Sequence, residues 1–420
     1  MASFKIKGKV KLSGNIPVSG AKNAALKIIP AAIMANGVSV IKNVPNIIDI
    51  QKMIHILESI GAKITFENGT VTIDTTEINS SFPDEKLVKR LRGSIVAVGP
   101  LLSRFGKATI TQPGGCLIGA RAIDDHLDVF KQLGIKIEFD GERYHFSGKP
   151  KSGDIILSKM SVTATENAIM ASVLSPGVTN IHAAACEPEI ADLAFFLNKM
   201  GAQISGAGTH DIEIKGVEKL EGVEYEILPD RVEAGTYLML ALATNSAVTI
   251  GPVISDHLSL VFKKLRDAGA DFEIKEKDGK EYIEVKKHNG LKPVDIDTRP
   301  YPGFPTDLQS PYAVLMTQAD GDTKIFETMY ESRFGYLEEL KLMRGNTEIQ
   351  NPYVFIIHPS PRLVGTTISS RDIRGGAALV IAALLADGET IIEDAEFIDR
   401  GYENIDKNLR NAGVSITRLE

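Results

Sequence analysis

Six stretches of the chain place apolar residues at i, i+3 and i+4, end in glycine and run on into an alternating strand. They read HILESIGAKI at Gly61, DVFKQLGIKI at Gly134, FFLNKMGAQI at Gly201, FKKLRDAGADF at Gly269, ELKLMRGNTEI at Gly345 and KNLRNAGVSI at Gly413. The period predicts six amphipathic helices, and each glycine predicts the left-handed residue that stops one. The glycines are 73, 67, 68, 76 and 68 residues apart, so the pattern is a repeat. Upstream of these helices run others made of small and apolar residues, such as NAALKIIPAAIMANG, RGSIVAVGPLLSRFG, NAIMASVLSPG and GGAALVIAALLADG, each leading into a strand. A helix apolar on nearly every side belongs at the centre of a core, and one with a charged face belongs outside or at a groove.

Each unit therefore reads helix, strand, loop, helix, strand, usually with one more strand before the next. Units of this length exceed the ~20–50 residues of stacked solenoids. Six of them divide as three plus three, into two similar α/β lobes. The expected domains are residues 22–229, which carry the loop at Cys116, and residues 230–420 together with 1–21. Residues 1–21 read as a strand pair that belongs to no complete unit and returns to the second lobe. A two-lobed molecule invites a ligand between its lobes.

Polar residues gather at equivalent places in the repeat. The start of the apolar helix carries Lys22-Asn23, Arg92, Thr165-Glu166-Asn167, Arg231 with Glu233, Thr306-Asp307, and Asp372 with Arg374. The loop after the strand carries Cys116 and Arg121, Glu187 and Glu189, Glu331 and Arg333, and Asp399-Arg400. Capping and internal ion pairing explain most such residues taken singly. Several cations at equivalent helix starts point instead to an anion site, since helix N-termini and Arg forks both bind phosphate and carboxylate. The segment PGGCLIGAR, at 113–121, is a turn that exposes a cysteine beside an arginine, a setting that favours a reactive thiol. Cys186, in AAACEPEI, reads as a packed small residue.

Composition narrows the classes. With 47 Lys and Arg against 54 Asp and Glu the net charge is −7, which argues against coating nucleic acid or an anionic membrane. Two cysteines make no disulfide framework, and the N-terminus has no apolar signal region, so a cytoplasmic location is expected. The longest apolar run, 377–386, is about half a bilayer span. No GxxxxGK[ST], no strand-linked GxGxxG, no GxSxG and no zinc-type Cys–His spacing is present, so the expected chemistry uses no metal and no cofactor.

SGAKNAAL at 19–26, PGGCLIGAR at 113–121, LPDR at 228–231, FPTD at 304–307, ESRF at 331–334 and IDRGYE at 398–403 together resemble the UDP-N-acetylglucosamine 1-carboxyvinyltransferases, a family of enolpyruvyl transferases. The resemblance runs in order from about residue 4 to 418. It implies an inside-out α/β barrel of two lobes, each of three βαβαββ-like repeats with buried central helices. The implied substrates are phosphoenolpyruvate and UDP-N-acetylglucosamine, joined at the sugar 3′-hydroxyl with release of phosphate in the first committed step of peptidoglycan synthesis. The resemblance makes Cys116 the general acid, and so the fosfomycin target, and Asp307 the base toward the 3′-hydroxyl. Lys22, Asn23, Arg121, Arg374 and Arg400 match the groups around phosphoenolpyruvate, Lys22 and Arg400 among the catalytic residues. Arg92, Arg121, Ala122, Ile123, Asp124, Asp125, Lys159, Met160, Ser161, Val162, Asp307 and the backbone near Met329 match the sugar-nucleotide contacts. Arg333, Glu187 and Asp372 match supporting residues. Two places depart from the family pattern: MRGN at 343–346, expected to alter only a turn, and Asp125, which adds a negative charge near a diphosphate site.

Three other readings compete. A shikimate-3-phosphate-dependent sister enzyme fits less well, because GAKN stands at the first helix and the PGGC loop is present. A paralogue with another acceptor is barely distinguished by the sequence. A non-catalytic binder would not need both Cys116 and Asp307.

Overall fold

The computed structural model describes residues 2–112, 114 and 123–420. Cys116, Arg121 and Ala122 lie outside the described residues. The chain divides into two compact units, one built from residues 20–228 and the other from 229–420 with the first 19 residues.

Each unit holds three inner helices surrounded by three small sheets. In residues 20–228 the inner helices are α1 (Lys22–Ala31), α2 (Val98–Phe105) and α3 (Val162–Ser172). In the other unit they are α4 (Arg231–Ala243), α5 (Gln309–Met316) and α6 (Ile373–Leu385). Every residue of α4 and α5 is buried, as apolarity on all sides predicts. Small residues set the spacing. A side chain at Gly99 would meet Asn167 Oδ1 of α3 at 2.7 Å, and one at Gly235 would meet Leu308 Cδ1 at 2.5 Å. The sheets keep one face inward: Val38–Lys42 and Val178–His182 alternate buried and solvent-facing positions along their length.

Five sheets have four strands, and the sixth, of residues 107–111, 136–139 and 143–147, has three. Each unit closes on itself. Glu224–Glu226 joins Val38–Lys42 in parallel, tying the last segment of residues 20–228 to the first. Residues 1–21 do not form a pair, contrary to the sequence reading. Ser3–Lys7 lies between Glu389–Glu393 and Ile416–Leu419, whereas Asn15–Pro17 pairs in parallel with Val248–Val253. Two short strands seven residues apart can bond different sheets because each satisfies its ladder with a distant partner.

The glycine stops hold at five of the six outer helices, where Gly61, Gly134, Gly201, Gly269 and Gly413 have positive φ. The fifth repeat is the correction. Arg344, with φ 67°, takes the left-handed position, while Gly345 lacks positive φ and is needed for space: a Cβ there would meet Leu340 Cγ at 2.5 Å. The second inner helix also departs from one continuous pattern. Residues Arg92–Ala97 form a 3-10 turn before α2, because Pro100 has no N–H for the carbonyl of Val96 and its ring crowds it. At the far end of α1, Arg104 donates to the carbonyls of Ile33 (2.7 Å), Ala35 (2.8 Å) and Thr75 (2.9 Å), satisfying oxygens left over at a helix terminus.

Candidate active site

In residues 20–228 the expected residues cluster at the starts of the inner helices. Lys22 opens α1 and is buried; its Nζ lies 2.9 Å from Asp49 Oδ2, on the outer helix Ile48–Glu58. Both side chains are under a tenth exposed, so each depends on the other. Asn23 follows, half-buried. Arg92 is half-buried at the first residue of its 3-10 turn.

His126, 5% exposed, binds together segments expected to meet the sugar nucleotide. It sits in the helix Asp124–Gln132, one residue after Asp125. Asn167 Nδ2 donates to His126 Nδ1 (2.9 Å) and to the Ile95 carbonyl (3.0 Å), and Asn167 Oδ1 accepts from Gly99 N (2.9 Å). With Nδ1 accepting, the ring proton is on Nε2, which donates to Thr163 Oγ1 at 3.1 Å. Burial, helped by the nearby Arg92 charge, lowers the His126 pKa to about 4, so the ring is neutral at physiological pH. It ties Ile123–Asp125 to Ser161–Val162 across α3. Ile123 is buried, Asp125, Ser161 and Val162 are half-buried, and Asp124, Lys159 and Met160 are exposed.

In the other unit the centre is Asp307. Its Oδ1 accepts from Arg333 Nη2 at 2.6 Å and its Oδ2 from Arg374 Nε at 3.2 Å. Arg374 lies at the start of α6, where Asp372 Oδ1 caps the helix by accepting from the N–H groups of Arg374 (2.9 Å) and Gly375 (2.8 Å). The Arg374 guanidinium also stands over the Tyr402 ring, 5.3 Å from its centroid. Arg400, half-buried, ends the short helix Glu396–Asp399. Its neighbour Gly401 packs so closely on α6 that a Cβ would lie 2.3 Å from Ile373 Cγ2 and 3.6 Å from Arg374 Nη1. The motif IDRGYE is thus folded against the helix that carries Arg374.

A buried carboxylate that sequence reasoning passed over lies behind Asp307. Glu327 is fully buried and accepts from Thr298 Oγ1 (2.8 Å), Thr306 Oγ1 (2.7 Å), Met329 N (2.9 Å) and Tyr330 N (3.2 Å). Arg333 Nη1 donates to Thr306 Oγ1 at 2.7 Å. Asp49 and His126 were passed over too. The available signal was a charged or polar residue set among apolar ones in an otherwise regular element, as in IIDIQKMI and in KIFETM.

Sequence reasoning brings Asp307, Arg333 and Arg374 into one cluster, and the structure places them in contact. It places Lys22, Arg92 and the segments 123–125 and 159–162 in residues 20–228. A cavity of about 410 Å3 at the opposite ends of α1, α2 and α3, bounded by Ala35, Arg104, Lys149 and Lys219, includes none of the expected site residues. Among the described residues no group of three or more His, Cys, Asp and Glu is placed to hold a metal ion.

A carboxylate clamped by two guanidiniums, with buried cations at other helix starts, suits a transferase acting on anionic substrates, and comparison with known proteins defines the class. The model of the EPSP synthase (3-phosphoshikimate 1-carboxyvinyltransferase) family matches residues 6–409. The chain belongs to this family of enolpyruvyl transferases. Within it, the chain is 45% identical over 421 residues to the UDP-N-acetylglucosamine 1-carboxyvinyltransferase 2 of Carboxydothermus hydrogenoformans, covering 100% of both chains. It is 43% identical over 418 residues to the UDP-N-acetylglucosamine 1-carboxyvinyltransferase of Coxiella burnetii, covering 99% of this chain and 95% of that one. The crystal structure of the enolpyruvyl transferase NikO from Streptomyces tendae superposes with a TM-score of 0.89 at 25% identity, covering 100% of this chain and 99% of that one. The inside-out α/β architecture and the carboxyvinyl transferase class expected from sequence are borne out. Among the described residues no helix is long and apolar enough to cross a membrane.

Proposed function

We propose that the protein transfers the enolpyruvyl group of phosphoenolpyruvate to the 3′-hydroxyl of UDP-N-acetylglucosamine, releasing phosphate, in the cytoplasm as the entry to peptidoglycan synthesis. The observation that carries this is end-to-end identity of 42–45% to proteins of that name. Residues 22–229 and 230–420 with 1–21 act as the two lobes of the enzyme.

The reaction is an addition followed by an elimination. Cys116 gives a proton to C3 of phosphoenolpyruvate, leaving C2 electrophilic. The sugar 3′-oxygen bonds to C2 as its proton passes to Asp307, a role that requires a carboxylate within hydrogen-bond reach of that hydroxyl. Loss of a C3 proton then restores the double bond as the C2–O bond to phosphate breaks. Lys22, Arg121, Arg374 and Arg400 offset the charge of phosphate and carboxylate, and Asn23 donates a hydrogen bond to the intermediate. Arg92, Arg121, Ala122, Ile123, Asp124, Asp125, Lys159, Met160, Ser161, Val162, Asp307 and Met329 hold the sugar nucleotide. The clamp on Asp307 supports its role, since two guanidiniums fix the carboxylate before substrate arrives.

The test is phosphate release from phosphoenolpyruvate with UDP-N-acetylglucosamine, beside shikimate 3-phosphate as acceptor. Turnover with the sugar nucleotide alone is expected, together with one fosfomycin adduct on Cys116 by intact mass and peptide mapping. Turnover with shikimate 3-phosphate only, or an adduct on Cys186 only, overturns the reading.

A further inference from the structure

We propose that Glu327 is a positioning residue for this reaction, holding in one network the base Asp307 and the Met329 backbone that meets the sugar nucleotide. The inference rests on the reaction and residue roles proposed above and adds a group they do not contain. Glu327 is fully buried and sits behind Asp307, so it acts through other residues.

The argument is one of hydrogen-bond direction. A carboxylate only accepts, and its two oxygens offer about four sites. Oε1 takes three donors, Thr298 Oγ1 and the N–H groups of Met329 and Tyr330. Oε2 takes the hydroxyl proton of Thr306. Because that proton is committed to Glu327, Thr306 turns a lone pair toward Arg333 Nη1. Arg333 then has one prong on Thr306 and the other on Asp307 Oδ1, which fixes the plane of its fork and the orientation of the base. The chain of donation runs Arg333 to Thr306 to Glu327 and cannot be reversed, since a guanidinium never accepts. The second arm is separate: Thr298 Oγ1 also accepts from Thr328 N at 2.9 Å, and Oε1 holds the turn at Met329.

Glu327→Gln separates the two arms. Its amide oxygen can keep the three donors on the Oε1 side. Its NH2 then faces Thr306 Oγ1, where Arg333 already donates, and the Thr306 proton has no acceptor. The base arm fails while the turn arm survives. Thr306→Val removes the same link from the other side, and Thr306→Ser retains it.

The experiment is steady-state phosphate release with the full chain, varying each substrate, alongside thermal unfolding. Glu327→Gln and Thr306→Val are expected to lower kcat by about tenfold or more, the scale of a slightly misplaced base. KM for phosphoenolpyruvate should stay within about twofold, and Thr306→Ser should restore kcat to within about threefold of the parent. The double variant Glu327→Gln with Thr306→Val should be no slower than the slower single variant, because both cut one link. If Glu327→Gln does not fold, the two Thr306 variants decide alone. An active parent with unchanged kcat in Thr306→Val, or with Thr306→Ser as slow as Thr306→Val, overturns the proposal. A parent that releases no phosphate overturns the underlying reaction, and the proposal with it.

Discussion

The inner helices begin differently in the two units. In residues 229–420, α4 and α6 each start at an aspartate, Asp230 or Asp372, whose Oδ1 accepts from two backbone N–H groups. In residues 20–228, α1, α2 and α3 follow Ala21, Ala97 and Ser161, none with a side-chain cap, and cations stand nearby at Lys22 and Arg92. A helix start closed by its own carboxylate has less to offer an external anion. A cation at an uncapped start opposes the helix dipole and must be offset, as Asp49 offsets Lys22. Near-identical architecture thus separates two tasks. One unit accumulates positive charge at its helix starts, and the other arranges its cations around a carboxylate.

Four changes would break or sharpen that contrast. The largest effect is expected for Asp307→Asn, which keeps the volume between Arg333 and Arg374 but removes the base. Turnover should fall by about a thousandfold or more, within the usual ~10²–10⁴ contribution of a general base. Calorimetric binding of UDP-N-acetylglucosamine should persist. Next is Lys22→Met, which leaves Asp49 buried without its cation and should cost roughly 3 kcal/mol or more in urea unfolding. Asp49→Asn combined with Lys22→Met should recover part of that loss.

The third change concerns one buried glutamate in each unit. Burial is the main cause that raises the carboxyls of Glu166 and Glu233 to about 8, from the ordinary 4.5. The folded protein therefore holds protons that the unfolded chain releases between about pH 4.5 and 8. The stability this contributes is full below pH 4.5 and is lost as pH rises through 8. Glu166→Gln and Glu233→Gln should each flatten the decline in Tm between pH 5.5 and 8, and the parent's curve should lie between neither mutant's at pH 8 but below both by a few degrees. The smallest effect is Asp372→Ala, which removes the α6 cap at a cost of about 1 kcal/mol, read by the same urea titration.

Much of the fold was legible because its periods are strong. The outer helices announced themselves through apolar spacing and terminal glycines, and the inner ones through the absence of a polar face. Gly345 shows the limit. Its one-letter pattern matches the other stops, yet the left-handed residue is Arg344, because the glycine is needed where Leu340 comes close. The path of residues 1–21 was half legible: alternation marks Ser3–Lys7 as a strand, but nothing local names its neighbours, which lie more than 380 residues away. In the site, Asp307, Arg333 and Arg374 could be gathered by equivalence between repeats. Glu327, Asp49 and His126 could not, since their importance lies in which buried donors they satisfy, and that depends on packing across elements.

The place of Ser3–Lys7 also bears on the order in which the molecule can be made. The strand is among the first residues to leave the ribosome, yet both its partners, Glu389–Glu393 and Ile416–Leu419, are among the last. Residues 20–228 contain all the strands of their own three sheets and can complete them during synthesis. The sheet around Ser3–Lys7 has to wait, holding an apolar strand unpaired until the final turn of the chain emerges. The earliest segment translated is among the latest to be secured.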